Sequence, residues 1–166
     1  MIRWWILLEG ILGYGFFERK IYLLRDNFTF ERTDLDGKRE KVLLEDPALG
    51  QSLFQKNKFY QIKIFPGEVF SGDIILFLGE NGELLGNRLP YRFVEKGVLG
   101  LEFHQKSKRV LFWTEKAIGI LDFSKDRTLE GNAFEAAPKL IWILRERDQI
   151  KQAFLVYEAS HILFRE

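Results

Sequence analysis

Short apolar runs alternate along the whole chain with clusters of Gly, Asn, Asp and charged residues. The runs at 20–25, 27–33, 58–65, 73–78, 98–104, 109–114, 117–123, 139–145, 150–157 and 161–164 are rich in Ile, Val, Phe, Tyr and Leu, and turn residues bound each of them. That pattern predicts strands. One helical signal stands out at 46–56, where Asp46-Pro47 can cap a single turn. Asn81-Gly82, between 74–78 and 83–85, and Asp36-Gly37, between 28–33 and 38–44, read as tight hairpin turns, because these dipeptides accept positive φ.

The strands recur as a unit. Val98-Leu-Gly-Leu-Glu-Phe-His, a turn and Arg109-Val-Leu-Phe-Trp lie on Ile150-Lys-Gln-Ala-Phe-Leu-Val, a turn and His161-Ile-Leu-Phe-Arg at a constant offset without a gap. Leu111-Phe112 then falls on Leu163-Phe164. Upstream, Lys63-Ile-Phe-Pro-Gly falls on Leu101-Glu-Phe-His-Gln and Asp73-Ile-Ile-Leu-Phe-Leu on Arg109-Val-Leu-Phe-Trp-Thr, and Lys20-Ile-Tyr-Leu-Leu-Arg makes a fainter copy. Each unit reads as four strands: a first strand, a strongly apolar second, a third after a tight turn, and a more polar fourth (39–44, 88–94 and 139–145). Successive apolar strands start about 36 to 53 residues apart, near the blade length of β-propellers. The expected fold is therefore all-β, with antiparallel four-stranded units of β-propeller type at 11–56, 57–96, 97–148 and 149–166 in a single domain spanning 1–166. A β-trefoil-like barrel is the rival. The tally of about three and a half units leaves three closures open, since a propeller usually has at least four blades. The chain is part of a longer propeller, copies complete a ring, or the strand at 4–8 adds to the last half-unit.

The runs KRVLFWTEKAIGILDF (108–123) and LIWILRERDQIKQAFLVYEASHILF (140–164) resemble the propeller-like region of bacterial PEGA-domain proteins and, more broadly, TolB-type and WD40-like repeats. In those, an aromatic-rich strand precedes one of EIWIYDL type. The DLDGK turn at 34–38 also resembles the turn before the fourth strand of TolB-like repeats. The resemblance spans about residues 20–165. It implies binding or scaffolding at a surface rather than known catalysis, and an extracytoplasmic, membrane-associated setting. It supplies no functional residue. Apart from it, the cytoplasm is the default and the compartment stays open.

Composition narrows the function classes. The chain has 166 residues, 46% hydrophobic, with 16 Phe, enough for a real core. Lys and Arg total 25 against 24 acids, interleaved as in Glu18-Arg19-Lys20 and 145–148, so the basic stripe expected of a nucleic-acid binder is missing. There is no Cys, which excludes disulfides, thiolate metal sites and a Cys nucleophile. The apolar stretch at 4–17 is broken by Glu9, Gly10, Gly13 and Gly15 and falls short of a membrane span, so buried strands are expected there and membrane association lacks support.

No catalytic set emerges. The two His, His104 and His161, fall at a strand end and a strand start, and no third His completes a zinc site. Ser52, Ser71, Ser107, Ser124 and Ser160 all read as turn residues, outside any Gly-x-Ser-x-Gly elbow. Asp34, Asp36 and Glu45 begin and end like a calcium loop. However, Gly37 comes too early and Lys38 and Val42 occupy ligand positions, so a hairpin turn is expected instead. Gly10, Gly13 and Gly15 lack the Lys-Ser/Thr and helix of a phosphate loop and read as a bulge or close strand packing. Glu80, Glu83, Glu102 and Glu115 are candidate carboxylates scattered through hairpins. Trp113 and Trp142 read as core residues. Trp4 and Trp5, adjacent in a strand, point to opposite faces, so one of them favours contact with another strand, chain or lipid surface.

Catalytic, cofactor and metal residues are therefore expected to be none. The leading expectation is a non-catalytic interaction or scaffold module. Its partner would be a protein or a second copy, meeting an open sheet edge at 150–164. The alternative is a hydrolase or carbohydrate-binding propeller with its site at the ring mouth.

Overall fold

The computed structural model describes residues 10–44, 46–67, 72–124, 138–144, 149–156 and 160–166. Its elements are almost all strands, and it forms two compact units: Met1–Ile64 with Ile75–Glu80, and Phe65–Ile74 with Asn81–Glu166. The strand at 4–8, the charged turn at 145–148, Ser71 and Glu45 lie outside the described residues.

The first unit begins with a meander of β1 (Ile11–Phe17), β2 (Lys20–Arg25), β3 (Phe30–Thr33) and β4 (Arg39–Leu44), each antiparallel to the next. On the other side of β1 lies β5 (Tyr60–Phe65), which pairs with it in parallel, Gly13 opposite Tyr60, and β6 (Ile74–Gly79) follows. The strand order is β4-β3-β2-β1-β5-β6. Burial follows position. The four central residues of β2 are buried, whereas Arg39, Glu40 and Lys41 on β4 are exposed. The edge strand is thus charged, which protects it from unwanted pairing.

Glycine sets the β1–β5 junction. A Cβ on Gly13 would meet the carbonyl oxygen of Tyr60, and one on Gly15 would lie 2.6 Å from that of Ile62. The β1–β2 register also shifts between Ile11 and Gly13.

Helix α1 (Pro47–Phe54) fills the predicted helical stretch. The Asp46 carboxylate accepts from the amides of Ala48 and Leu49, and Pro47 occupies the first turn, where its missing N–H costs nothing. The helix delivers Phe54 into an edge-to-face aromatic core, 4.9 Å from Phe77 and 5.2 Å from Tyr60, with Phe30 5.1 Å from Phe77. Ser52 lies within this helix rather than in a turn, because the capped turn propagates through it. The strand expected from residue 27 starts at Phe30. The Asn27 side chain accepts from the Thr29 amide and Phe28 has φ 64°, so the turn consumes the first residues.

In the second unit β7 (Leu84–Gly86) pairs with β8 (Arg92–Val94). The strand expected over 88–94 is shorter. Pro90 has no N–H to donate, Tyr91 has φ 62°, and Arg88 turns inward, donating to the Gly72 carbonyl at 3.2 Å. A second meander follows: β9 (Val98–His104), β10 (Arg109–Thr114), β11 (Ile118–Asp122) and β12 (Lys139–Leu144). A hairpin of β13 (Gln152–Val156) and β14 (His161–Arg165) completes the described strands.

The β9–β10 and β13–β14 hairpins share one register. Arg109 opposite His104 becomes His161 opposite Val156, Leu111 opposite Glu102 becomes Leu163 opposite Phe154, and Phe112 opposite Leu101 becomes Phe164 opposite Ala153. The ungapped match between these segments is therefore a match of strand pairing as well as of letters.

Replacing Gly13 with Ala should separate β1 from β5. The expected cost is about 1–3 kcal/mol, read as a lower urea midpoint at unchanged slope.

Candidate functional site

Residues directly opposite on neighbouring strands share a face. In the second meander one face carries the row His104, Arg109, Asp122 and Lys139, and then the row Glu102, Leu111, Ile120 and Ile141. The β13–β14 hairpin packs on this face. Leu111, Ile118 and Ile120 join Ile150, Ala153 and Leu155 in one buried cluster, with Trp113 and Ile162 against it. The opposite face carries Phe112, whose ring meets Trp142 edge to face at 5.2 Å. A Cβ on Gly119 would strike the tip of that ring, so glycine lets β11 lie beside it.

The hairpin is tied down by polar bonds. Glu102 Oε2 accepts the Leu155 amide at 2.8 Å, Trp113 Nε1 donates to the Lys151 carbonyl at 3.1 Å, and the Ile150 amide donates to the Glu115 carbonyl at 2.8 Å. Leu155 of β13 and the two residues that lead into the strand thus find partners on the sheet beneath. β14 differs, because β13 is its one strand neighbour among the described residues.

Beside β14 lies a cleft of about 500 Å³. Its apolar lining is Ile118, Ile120 and Ile143 from the meander and Ile162 and Phe164 from β14, and Arg109, Ser160 and His161 form a polar end. Exposure separates the two hairpins. Leu111 and Phe112 are 0% exposed, but their counterparts Leu163 and Phe164 are 60% and 41% exposed. Phe112 is covered by β11 and β12, whereas Phe164 lines the cleft.

The sequence-named polar residues hold local structural roles. His104 Nδ1 lies 2.9 Å from Ser107 Oγ and also accepts the Ser107 amide, within the β9–β10 turn. His161 Nδ1 lies 2.8 Å from Ser160 Oγ, its chain neighbour. These contacts had no motif in the sequence, only the closeness of the residues in number. A nucleophile–base pair also needs a group to orient the base, and no carboxylate is bonded to the His104 ring among the described residues. Ser124 donates its amide to Asp122. Asp34 Oδ1 accepts the amides of Asp36 and Lys38, so its carboxylate closes the hairpin turn. Among the described residues no group of three or more His, Asp or Glu is placed to hold a metal ion.

The carboxylates are likewise committed. Glu80 accepts the amides of Lys58 and Phe59, Glu83 is buried against Arg92 Nε at 2.9 Å, and Glu102 holds Leu155. Glu31, missed in the sequence, is buried between Arg25 and Arg39, with both oxygens bonded. It joins three neighbouring strands rather than facing a cleft. Trp113 and Trp142 are half-buried, one bonded to the hairpin and the other edge to face with Phe112.

Searches against protein-family models and against curated proteins found no match to this chain.

Asp122 anchors Arg109 at the polar end of the cleft, 3.1 Å from its Nε. Burial pushes the carboxyl up, but the Ser124 hydroxyl and amide together with Arg109 outweigh it and hold the group below the ordinary aspartate range. A lowered folded value stabilises above the unfolded value, and this stabilisation fades as pH falls through the folded one. Asp122→Asn should therefore cost about 1 kcal/mol at pH 7. The gap to the parent should close as pH drops below about 4, as read from paired urea titrations.

Proposed function

We propose that this chain is a non-catalytic interaction module whose β14 receives an extended strand from a protein partner. The observation that carries the reading is the contrast between the hairpins. With the same register and the same Leu-Phe pair, one hairpin is enclosed by two further strands and the other borders a cleft. A strand laid against β14 would cover Phe164 and the isoleucines of the cleft, as β11 covers Phe112. Main-chain pairing would supply affinity, and the side-chain pockets would supply selection.

On this reading the four-stranded meanders are blade-like and the last hairpin is the opening half of another blade. That arrangement agrees with the resemblance to PEGA-domain and TolB-type propeller regions. A second copy of the chain is the competing occupant.

Hydrogen exchange tests the proposal. At low concentration, amides averaged over 161–165 should exchange at least about tenfold faster than those over 109–114, because unpaired edge groups open at little cost. Equal protection in a monomer would overturn the reading. Protection that rises with concentration, together with a doubled mass by light scattering, would make a second copy the occupant.

A further inference from the structure

We infer that the strand received at β14 is a short segment of the pattern acidic–small–aliphatic–aliphatic–acidic. The inference rests on the strand-accepting reading above and names the chemistry of the partner. Its basis is the shared register, which makes β11 a template for whatever lies next to β14.

Across β10, Ile118 faces Trp113, Gly119 faces Phe112, Ile120 faces Leu111, Leu121 faces Val110, and Asp122 faces Arg109. Moved onto β14, these five positions face Arg165, Phe164, Leu163, Ile162 and His161 in turn. Opposite Phe164 the residue must be small. At the equivalent place in β11 even one Cβ would strike the Phe112 ring. Opposite Leu163, an aliphatic side chain covers a surface now 60% exposed. Opposite Ile162, a second one shares its face and points into the apolar cleft.

The two ends carry the charge selection. Asp122 binds the Arg109 opposite it, and a carboxylate at the matching position of the partner would face His161. At the other end β14 departs from the template, with exposed Arg165 standing where β10 has Trp113. Opposite charges directly across a strand pair stabilise it and like charges oppose it. An acidic residue therefore replaces the template's isoleucine at that position. The aliphatic position opposite Ile162 keeps the segment in the cleft, the one opposite Leu163 covers that exposed side chain, and the glycine-like position fixes the register.

The test uses the full chain and a fluorescent peptide with the core Asp-Gly-Ile-Leu-Asp between neutral polar residues, followed by anisotropy. The parent peptide should bind. Valine in place of its glycine should weaken binding at least about tenfold, and so should lysine in place of both aspartates. Two variants of the chain supply rescues that a folding defect could not mimic. Phe164→Ala should bring the valine peptide to within about threefold of the glycine one. Arg165→Glu should prefer a peptide with lysine opposite that position.

Equal binding of all peptides, with slowed exchange over 161–165, would overturn the pattern while leaving strand acceptance intact. Failure of every peptide to bind or to slow that exchange would overturn both. A peptide-insensitive dimer dissolved by Leu163→Lys would assign β14 to a second copy and overturn the inferred segment.

Discussion

Leu111 and Phe112 are neighbours on one strand, so their side chains leave opposite faces of the sheet, and both are sealed from water. A strand that is apolar on both faces needs a layer on each. Here one face receives Ile150, Ala153 and Leu155, and the other closes through Gly119 and Trp142. The rest of the second meander follows from that demand. β11 carries a glycine where the Phe112 ring passes and β12 brings the indole. The strand with exposed lysine and aliphatic positions stands at the margin, where partial burial suffices.

The first unit meets a similar demand differently. Its β2 is buried along its centre, but its core is closed by aromatic rings from three separate places: Phe30 on β3, Phe54 on the helix and Phe77 on β6. Edge-to-face rings tolerate varied approach directions while filling large volumes. Three of the chain's 16 phenylalanines are used in this way. Glu31 is also buried here, and it survives burial because two guanidiniums satisfy both of its oxygens.

Much of the secondary structure was legible. The runs at 20–25, 39–44, 98–104 and 109–114 coincide with β2, β4, β9 and β10, because period-two alternation and β-branched or aromatic content are properties of the strand itself. The Asp46-Pro47 start of the helix was legible for the same local reason. Other features were not, and each depends on distant residues. Arg88 reads as a strand residue until the carbonyl of Gly72 and the ring of Phe123, 5.7 Å away, are seen to hold it. Glu102 reads as a candidate catalytic carboxylate until the amide of Leu155 is found on it. The cleft is formed by β11, β12 and β14 together, and no window of sequence contains all three. The shared register of the β9–β10 and β13–β14 hairpins was the exception, since the constant offset between their letters carried it.

The bond from Glu102 to the Leu155 amide gives the last hairpin a direction. Together with the Trp113 indole on the Lys151 carbonyl, it occupies polar groups of β13 and of the residue just before it with side chains, which cannot propagate a ladder. Fibril growth by strand stacking requires two open rims on the same template, so that each arrival offers a fresh rim to the next. Among the described residues the hairpin is stoppered on one rim and bare on the other, so any strand added to it comes from one side only.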